Sequence, residues 1–230
     1  MAKPEETKGG GMPDPVLSSS ECITLLGGGA VEAACLDLAM KHAPRVVAAD
    51  GGADHALRFG VMPEAVIGDF DSITPKTRET LPEERLFPVA EQDSTDFEKC
   101  LQRLRAPLVI GVGFLGLRLD HELSVLNTLV RYSAQPCLLL GQEDVAFAAP
   151  AALDLDLAVG TRVSLFPFMP VRGESRGLEW PIRGIDFAPG GRIGTSNRAT
   201  GAVRLSFEGA GMVVILPRAC FGAALAGLTG

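Results

Sequence analysis

Val66-Ile67-Gly68-Asp69-Phe70-Asp71-Ser72 is the stretch from which the rest of the chain is read. Two apolar residues close a buried strand, Gly68 breaks it, and Asp69 and Asp71 follow with one residue between them. In extended backbone, residues i and i+2 point to the same side, so both carboxylates face one space. Two like charges that close repel each other unless a cation or a proton sits between them. The competing reading is an ordinary solvated turn, since Asp and Ser are common turn residues. The choice depends on whether carboxylates recur at the ends of other strands.

They do recur. Arg45–Ala49 reads as a strand running into Asp50-Gly51-Gly52-Ala53-Asp54. Asp50 therefore sits at a strand's C-terminal end, where open parallel sheets bind ligands. Gly51 and Gly52 let backbone or ligand come close. A short helix over 53–59 then leads by Gly60 and Pro63 to the strand ending at Gly68. Downstream, a helix over 75–81 with Pro75 in its first turn precedes a strand over 86–89. Then comes Glu91-Gln92-Asp93-Ser94-Thr95-Asp96-Phe97-Glu98. Thr95 with Glu98 three residues on predicts a capping box, with Asp96 at the first helical position. The helix dipole alone favours an Asp there, yet this is again a carboxylate just past a strand.

On the N-terminal side, Ile23–Leu26 reads as a strand, Gly27-Gly28-Gly29 as a tight turn, and 31–42 as a helix with Val31, Ala34, Cys35 and Leu38 on one face. The glycine run lacks the dinucleotide or P-loop spacing. On the other side a strand over 108–112 precedes Gly113-Phe114-Leu115-Gly116-Leu117-Arg118-Leu119-Asp120-His121, a helix over 120–132 and a strand at Cys137–Leu140. The Arg118 fork suits a phosphate, and Asp120 suits a helix cap. His121 has no second His nearby and reads as a helix-start hydrogen-bonder rather than a metal ligand or base.

Beyond about residue 150 the helical period disappears, and runs over 162–166, 202–207 and 212–216 between Gly and Pro turns read as antiparallel strands. The predicted fold is α/β: a mostly parallel three-layer α/β domain over 21–148, followed by a smaller antiparallel β-sandwich domain over 149–230. Residues 1–20, rich in Gly, Pro, Ser and charge, are expected to be a mobile tail outside the fold. Met12 behind Gly9-Gly10-Gly11 is a candidate natural start after a leader of residues 1–11.

Composition narrows the partners. The 230 residues are 47% hydrophobic and 21% charged, which is ordinary for a globular protein. A net charge of −7 argues against nucleic acid, because phosphate backbones need clustered Lys and Arg. An acidic protein that binds phosphates does so through metal ions, helix N-termini or a few placed bases. Cys22, Cys35, Cys100, Cys137 and Cys220 are odd in number and widely spaced, which suits reduced, mostly buried thiols rather than disulfides or zinc. No run reaches membrane-spanning length and no signal-peptide core opens the chain, so the expected location is cytoplasmic.

Taken together, Ala49-Asp50-Gly51-Gly52-Ala53, Ile67-Gly68-Asp69-Phe70-Asp71-Ser72, Gln92-Asp93-Ser94-Thr95-Asp96-Phe97 and Arg118-Leu119-Asp120-His121, in that order, resemble the thiamine pyrophosphokinase family. Gly177-Leu178-Glu179-Trp180 and Thr195-Ser196-Asn197 resemble its thiamine-side motifs. The resemblance implies Mg²⁺-dependent transfer of diphosphate from ATP to the hydroxyethyl oxygen of thiamine, giving thiamine diphosphate and AMP, in a homodimer whose active sites are shared between subunits. It implies Asp50, Asp69, Asp71 and Asp96 around the metal, with Asp69, Asp71, Asp96 and Arg118 in the chemistry. Nucleotide contacts fall to Asp50, Gly51, Gly52, Gln92, Arg118, Asp120 and His121, and thiamine contacts to Trp180, Ser196, Asn197 and Gln92. One departure stands out: Leu117 lies where the family has Gly before the Arg. The alternatives are a related pyrophosphokinase acting on a pterin alcohol, a metal-dependent nucleotide phosphohydrolase, and a catalytically silent nucleotide-binding module.

Overall fold

A computed structural model describes residues 13–230. In chain order the elements begin with β1 (Leu17–Ser18), β2 (Ile23–Leu26), α1 (Ala33–His42), β3 (Arg45–Ala49), α2 (Gly52–Arg58), β4 (Ala65–Gly68), α3 (Pro75–Thr80) and β5 (Leu86–Pro88). There follow α4 (Asp96–Arg103), β6 (Leu104–Arg105), β7 (Val109–Val112), α5 (Leu119–Arg131), β8 (Cys137–Leu140) and β9 (Asp144–Ala148). The chain closes with β10 (Ala152–Leu155), β11 (Arg162–Pro167), β12 (Gly173–Leu178), β13 (Gly194–Phe207), β14 (Met212–Pro217) and α6 (Phe221–Thr229).

β5, β4, β3, β2, β7 and β8 pair in that order, all parallel. The chain winds outward from β2 to β5 on one side, then returns to place β7 and β8 on the other. The strand order reverses between β2 and β7, which makes the crevice beyond their C-terminal ends the expected ligand site. Alternation along β2 fixes the layers: Ile23 and Leu25 pack with Phe97, Leu101, Val125 and Leu129 of α4 and α5, while Leu26 packs with Leu36 and Ala39 of α1. Helices thus cover both faces of the parallel block, and β2, β4, β7 and β8 are buried throughout, while the edge strand β5 is only partly buried.

The expected division at residue 148 falls at the end of β9. This strand is antiparallel to both β8 and β14 and carries the sheet without a break into the C-terminal half. There β13 serves three ladders, its first part pairing with β11 and its later part with β10 and β12.

Two expectations are corrected. Residues 1–12 of the expected tail lie outside the described residues, but Leu17 and Ser18 pair in parallel with Leu104 and Arg105, and Val16 and Leu17 pack on the core. The tail reading failed because so short a strand leaves no period to see. The half beyond residue 150, where no helical period was read, also ends in a helix: α6 packs on β10, with Gly227 close against the Asp154 carbonyl. Its sequence, Phe-Gly-Ala-Ala-Leu-Ala-Gly-Leu-Thr, is apolar nearly all round and carries no amphipathic signal.

Candidate active site

The C-terminal edge of the parallel strands is built by close backbone packing. A Cβ on Gly52 would lie 2.1 Å from the Leu26 carbonyl oxygen, and one on Gly27 or Gly29 would lie 2.6 Å from the Gly113 carbonyl oxygen. The glycines after β2, β3 and β7 therefore bring three loops together, and Gly27-Gly28-Gly29 is a bend whose Gly27 and Gly29 N–H groups bond to the Val112 and Gly113 carbonyls.

Asp50 leaves β3 with φ 43, an uncommon conformation for a non-glycine residue, and is 1% exposed. Its carboxylate accepts hydrogen bonds from the backbone N–H of Phe70 (3.0 Å) and of Ser72 (3.2 Å), and so holds the 69–72 loop against the strand end. The far end of that loop is anchored by Asp54 of α2, which accepts from the Thr74 N–H and hydroxyl. Phe70 itself has φ 66, and the Arg78 guanidinium lies over its ring. The result is that Asp50, Asp69 and Asp71 each bring a carboxylate oxygen within 4.8 Å of the others. Several oxygen ligands on different loops suit a hard divalent cation such as Mg²⁺.

Asp96 reaches this trio through a residue that sequence reasoning missed. Lys99 of α4 is 2% exposed, and its ammonium donates to Asp69 Oδ2 (2.9 Å) and Asp96 Oδ1 (3.2 Å). The spacing of Asp96 and Lys99 on a helix was visible in the sequence, but Asp69 lies 30 residues away. Gln92 donates its amide to the same Asp69 oxygen at 3.0 Å. The capping box is half made. Thr95 accepts from the Glu98 N–H, whereas the Glu98 carboxylate turns to Arg131 and Tyr132.

Charge is divided unevenly across the cluster. Burial, the hydrogen bond to Asp69 and the nearby Asp96 push the Asp50 carboxyl up to about 6. The Lys99 ammonium holds Asp69 well below the usual carboxylate range. Burial raises Asp96 despite Lys99. A consequence for the metal-free protein can be measured. Asp50 has a folded pKa above its unfolded value of about 3.9, so its contribution is fully present below about pH 4 and is lost as pH rises toward and past 6. Asp69, shifted the other way, loses its contribution only at much lower pH. In chelator, Asp50→Asn should therefore gain stability relative to the native chain by on the order of 2–3 kcal/mol between pH 4 and 7. Urea unfolding of both proteins at several pH values measures the difference, and a constant gap would remove the protonated Asp50.

The loop after β7 carries Arg118, Asp120 and His121 at the start of α5, beside the switch point. Arg118 and Asp120 are exposed and pair with each other at 2.7 Å. Asp120 lies within α5 rather than at its cap, and His121 is exposed near the helix start. Leu117 has φ 90 and is 79% exposed. The loop thus keeps a left-handed turn at the position where the resembling family has Gly. Left-handed backbone costs a residue with a Cβ about 1–2 kcal/mol, while Gly adds about 0.4–1 kcal/mol of unfolded-state entropy. Leu117→Gly should accordingly raise stability by about 0.5–1 kcal/mol, seen as a higher denaturant midpoint. A lower midpoint would mean that Leu117 makes contacts worth more than the strain. A cavity of about 390 Å³ opens beside this loop, lined by Ala30, Leu115, Leu117, Leu126 and Gln142 among others.

In the C-terminal half, Trp180 is 53% exposed and so is not core. Asn197 is buried, and its amide accepts from the Trp180 N–H (3.2 Å) and donates to the Trp180 carbonyl (2.7 Å). Asn197 thereby fixes the backbone beneath the indole, and its side chain is committed to that task. Ser196 is exposed with φ 62. Among the described residues the four non-glycine positions with positive φ are Asp50, Phe70, Leu117 and Ser196. All lie in segments singled out from sequence, where strain often accompanies function. The structure joins Asp50, Asp69, Asp71, Asp96 and Gln92 directly or through Lys99. Among the described residues no hydrogen bond or ion pair ties Trp180, Ser196 or Asn197 to them. A larger open depression of about 1080 Å³ between β10, β12, β13 and α6 contains none of these residues.

The family profile described as thiamin pyrophosphokinase, catalytic domain, matches residues 36–139, which contain the acidic loops, Lys99 and the Arg118 loop. Thiamine pyrophosphokinase 1 of Oryza sativa subsp. japonica is 28% identical over 185 residues, covering 66% of this chain and 70% of that one. Thiamin pyrophosphokinase 1 of Caenorhabditis elegans is 28% identical over 174 residues, covering 67% and 71%. In solved structures the fold is shared with thiamin pyrophosphokinase from Candida albicans, with TM-score 0.73, 15% identity and coverage of 86% and 89%. It is shared too with that from Geobacillus thermodenitrificans, with TM-score 0.71, 22% identity and coverage of 85% and 96%. The matched profile, the relatives and the shared fold are all those of thiamin pyrophosphokinases, the family that the sequence motifs resemble.

Proposed function

We propose that this protein is a thiamine diphosphokinase, an ATP-dependent diphosphotransferase. The hydroxyethyl oxygen of thiamine attacks the β-phosphorus of ATP, the bond from that phosphorus to the α,β-bridging oxygen breaks, the hydroxyl proton is lost, and thiamine diphosphate and AMP are released. The observation that carries the reading is the convergence of the Asp50, Asp69 and Asp71 carboxylates within 4.8 Å at the C-terminal edge of a parallel sheet, in a chain similar to thiamin pyrophosphokinases.

Asp50, Asp69 and Asp71, with Asp96 behind them, would hold Mg²⁺. When bound, the ion supplies positive charge to the phosphate oxygens as the bond to the leaving AMP breaks. The chain's own part is positional. Asp50 fixes the loop that carries the other two carboxylates, and Lys99 and Gln92 fix Asp69. Arg118 stands at the switch point with a fork suited to phosphate, and Gly51 and Gly52 keep the β3 end open to close approach. Asp120, His121 and the cavity beside them border the nucleotide, ATP being the co-substrate. Trp180 and Ser196 face thiamine, with Asn197 acting through the Trp180 backbone. We assign nucleotide chemistry to residues 21–148, and thiamine binding and dimerisation to 149–230, in a cytoplasmic homodimer with shared sites. Among the described residues no helix is long and apolar enough to cross a membrane.

Incubation with ATP, Mg²⁺ and thiamine tests the proposal. AMP and thiamine diphosphate in equal amounts are expected. Transfer to a pterin alcohol instead, release of free phosphate or diphosphate, or no turnover would each exclude it.

A further inference from the structure

Lys99 is the one buried charge of the site whose role the family reading leaves open. Its side chain is 2% exposed, on a helix whose Phe97, Cys100 and Leu101 are also buried. An ammonium in that setting is retained only if fully paired, because desolvation costs several kcal/mol, and here the pairs are Asp69 and Asp96. It is too enclosed to reach out for a substrate. Asp69 belongs both to the trio of carboxylates within 4.8 Å and to the ammonium at 2.9 Å. A carboxylate shared in this way does what a bridging carboxylate does between the paired ions of two-metal phosphoryl-transfer sites.

We infer that Lys99 is a built-in substitute for a second divalent cation, a positioning residue that limits the free cluster to one divalent ion on the Asp50, Asp69 and Asp71 side. Four carboxylates and one ammonium leave a charge that a single divalent ion nearly neutralises, whereas the same four carboxylates without the ammonium match two. Because Lys99 and Asp96 sit three residues apart on one helix, the fixed charge and its outer carboxylate move as a unit. This holds the Asp69 carboxylate in place beside the remaining ion's site. The inference rests on reading the cluster as a Mg²⁺ site.

The test counts Mn²⁺ bound to the full chain without nucleotide, by electron paramagnetic resonance and calorimetry. The native protein is expected to bind one ion. Lys99→Met, which keeps the stem and removes the charge, should bind two, and the Mg²⁺ dependence of its turnover should steepen from first to second order. Lys99→Arg should stay at one. Folding of Lys99→Met only in the presence of divalent cation would support the same conclusion. One ion of unchanged affinity on folded Lys99→Met overturns it, as do two ions on the native protein. If Lys99→Met does not fold under any condition, the native and Lys99→Arg counts decide: one ion on each supports the role and two on either overturns it. No ion on the native protein would instead remove the metal reading itself, so the two failures are distinguishable.

Discussion

Asp71→Asn should lower turnover by at least about a hundredfold with the fold intact. Asp71 is exposed, is one of the three carboxylates within 4.8 Å, and accepts a 2.7 Å hydrogen bond from the Ser72 hydroxyl. Asn keeps the shape and can still accept that bond, so little packing is lost. What disappears is one negative charge from the cluster proposed to hold the cation. Unlike Asp50, whose carboxylate anchors the backbone of the loop, Asp71 has no structural duty that would confuse the result. Removing one of several like charges should also leave the metal-free melting temperature unchanged or higher. Steady-state kinetics at saturating ATP and Mg²⁺, together with a melting curve, measure both effects. Normal turnover in this variant would take the carboxylate trio out of the chemistry.

The second large effect concerns Trp180. Its indole is half exposed on a backbone clamped by Asn197, and among the described residues no hydrogen bond or ion pair joins it to the carboxylate cluster. A planar, partly cationic ring system gains contact area and cation–π attraction from an indole face, together worth about 1–3 kcal/mol. Trp180→Ala should therefore weaken thiamine binding roughly tenfold to hundredfold and leave ATP binding nearly unchanged. Since Trp180 is the chain's single Trp, saturable quenching of its fluorescence by thiamine reports the contact directly.

The shared site can be tested with the same residue. Equal amounts of Asp71→Ala and Trp180→Ala chains, allowed to exchange subunits, should form half mixed dimers. Each mixed dimer would carry one site with both native residues and one with neither. About a quarter of native activity should return when thiamine is kept well below the KM of the Trp180 variant. No recovery after demonstrated exchange would assign both residues to one chain's site and end the composite model.

The sequence alone carried the alternation of strand and helix through residue 140, because apolar runs bounded by Gly, Pro and Asp report buried parallel strands locally. It carried the carboxylates at strand ends for the same reason: a residue's place just past a strand is a property of its neighbours in the chain. Thr95 at the start of α4 and Pro75 at the start of α3 were likewise local signals that the structure bears out. It could not supply what depends on two distant segments meeting. Lys99 looked like an ordinary helix residue until Asp69 was seen beside it. The pairing of Leu17 with Leu104 and the continuity of the sheet through β9 are contacts between elements too short or too apolar to announce a partner. Asp50 illustrates the division. Its position at the end of β3 follows from the order of residues. Its burial, its left-handed backbone and its hold on Phe70 and Ser72 come only from the tertiary packing of β3 against β4. There a buried carboxylate must find donors or lose its charge, and the loop N–H groups are the donors within reach.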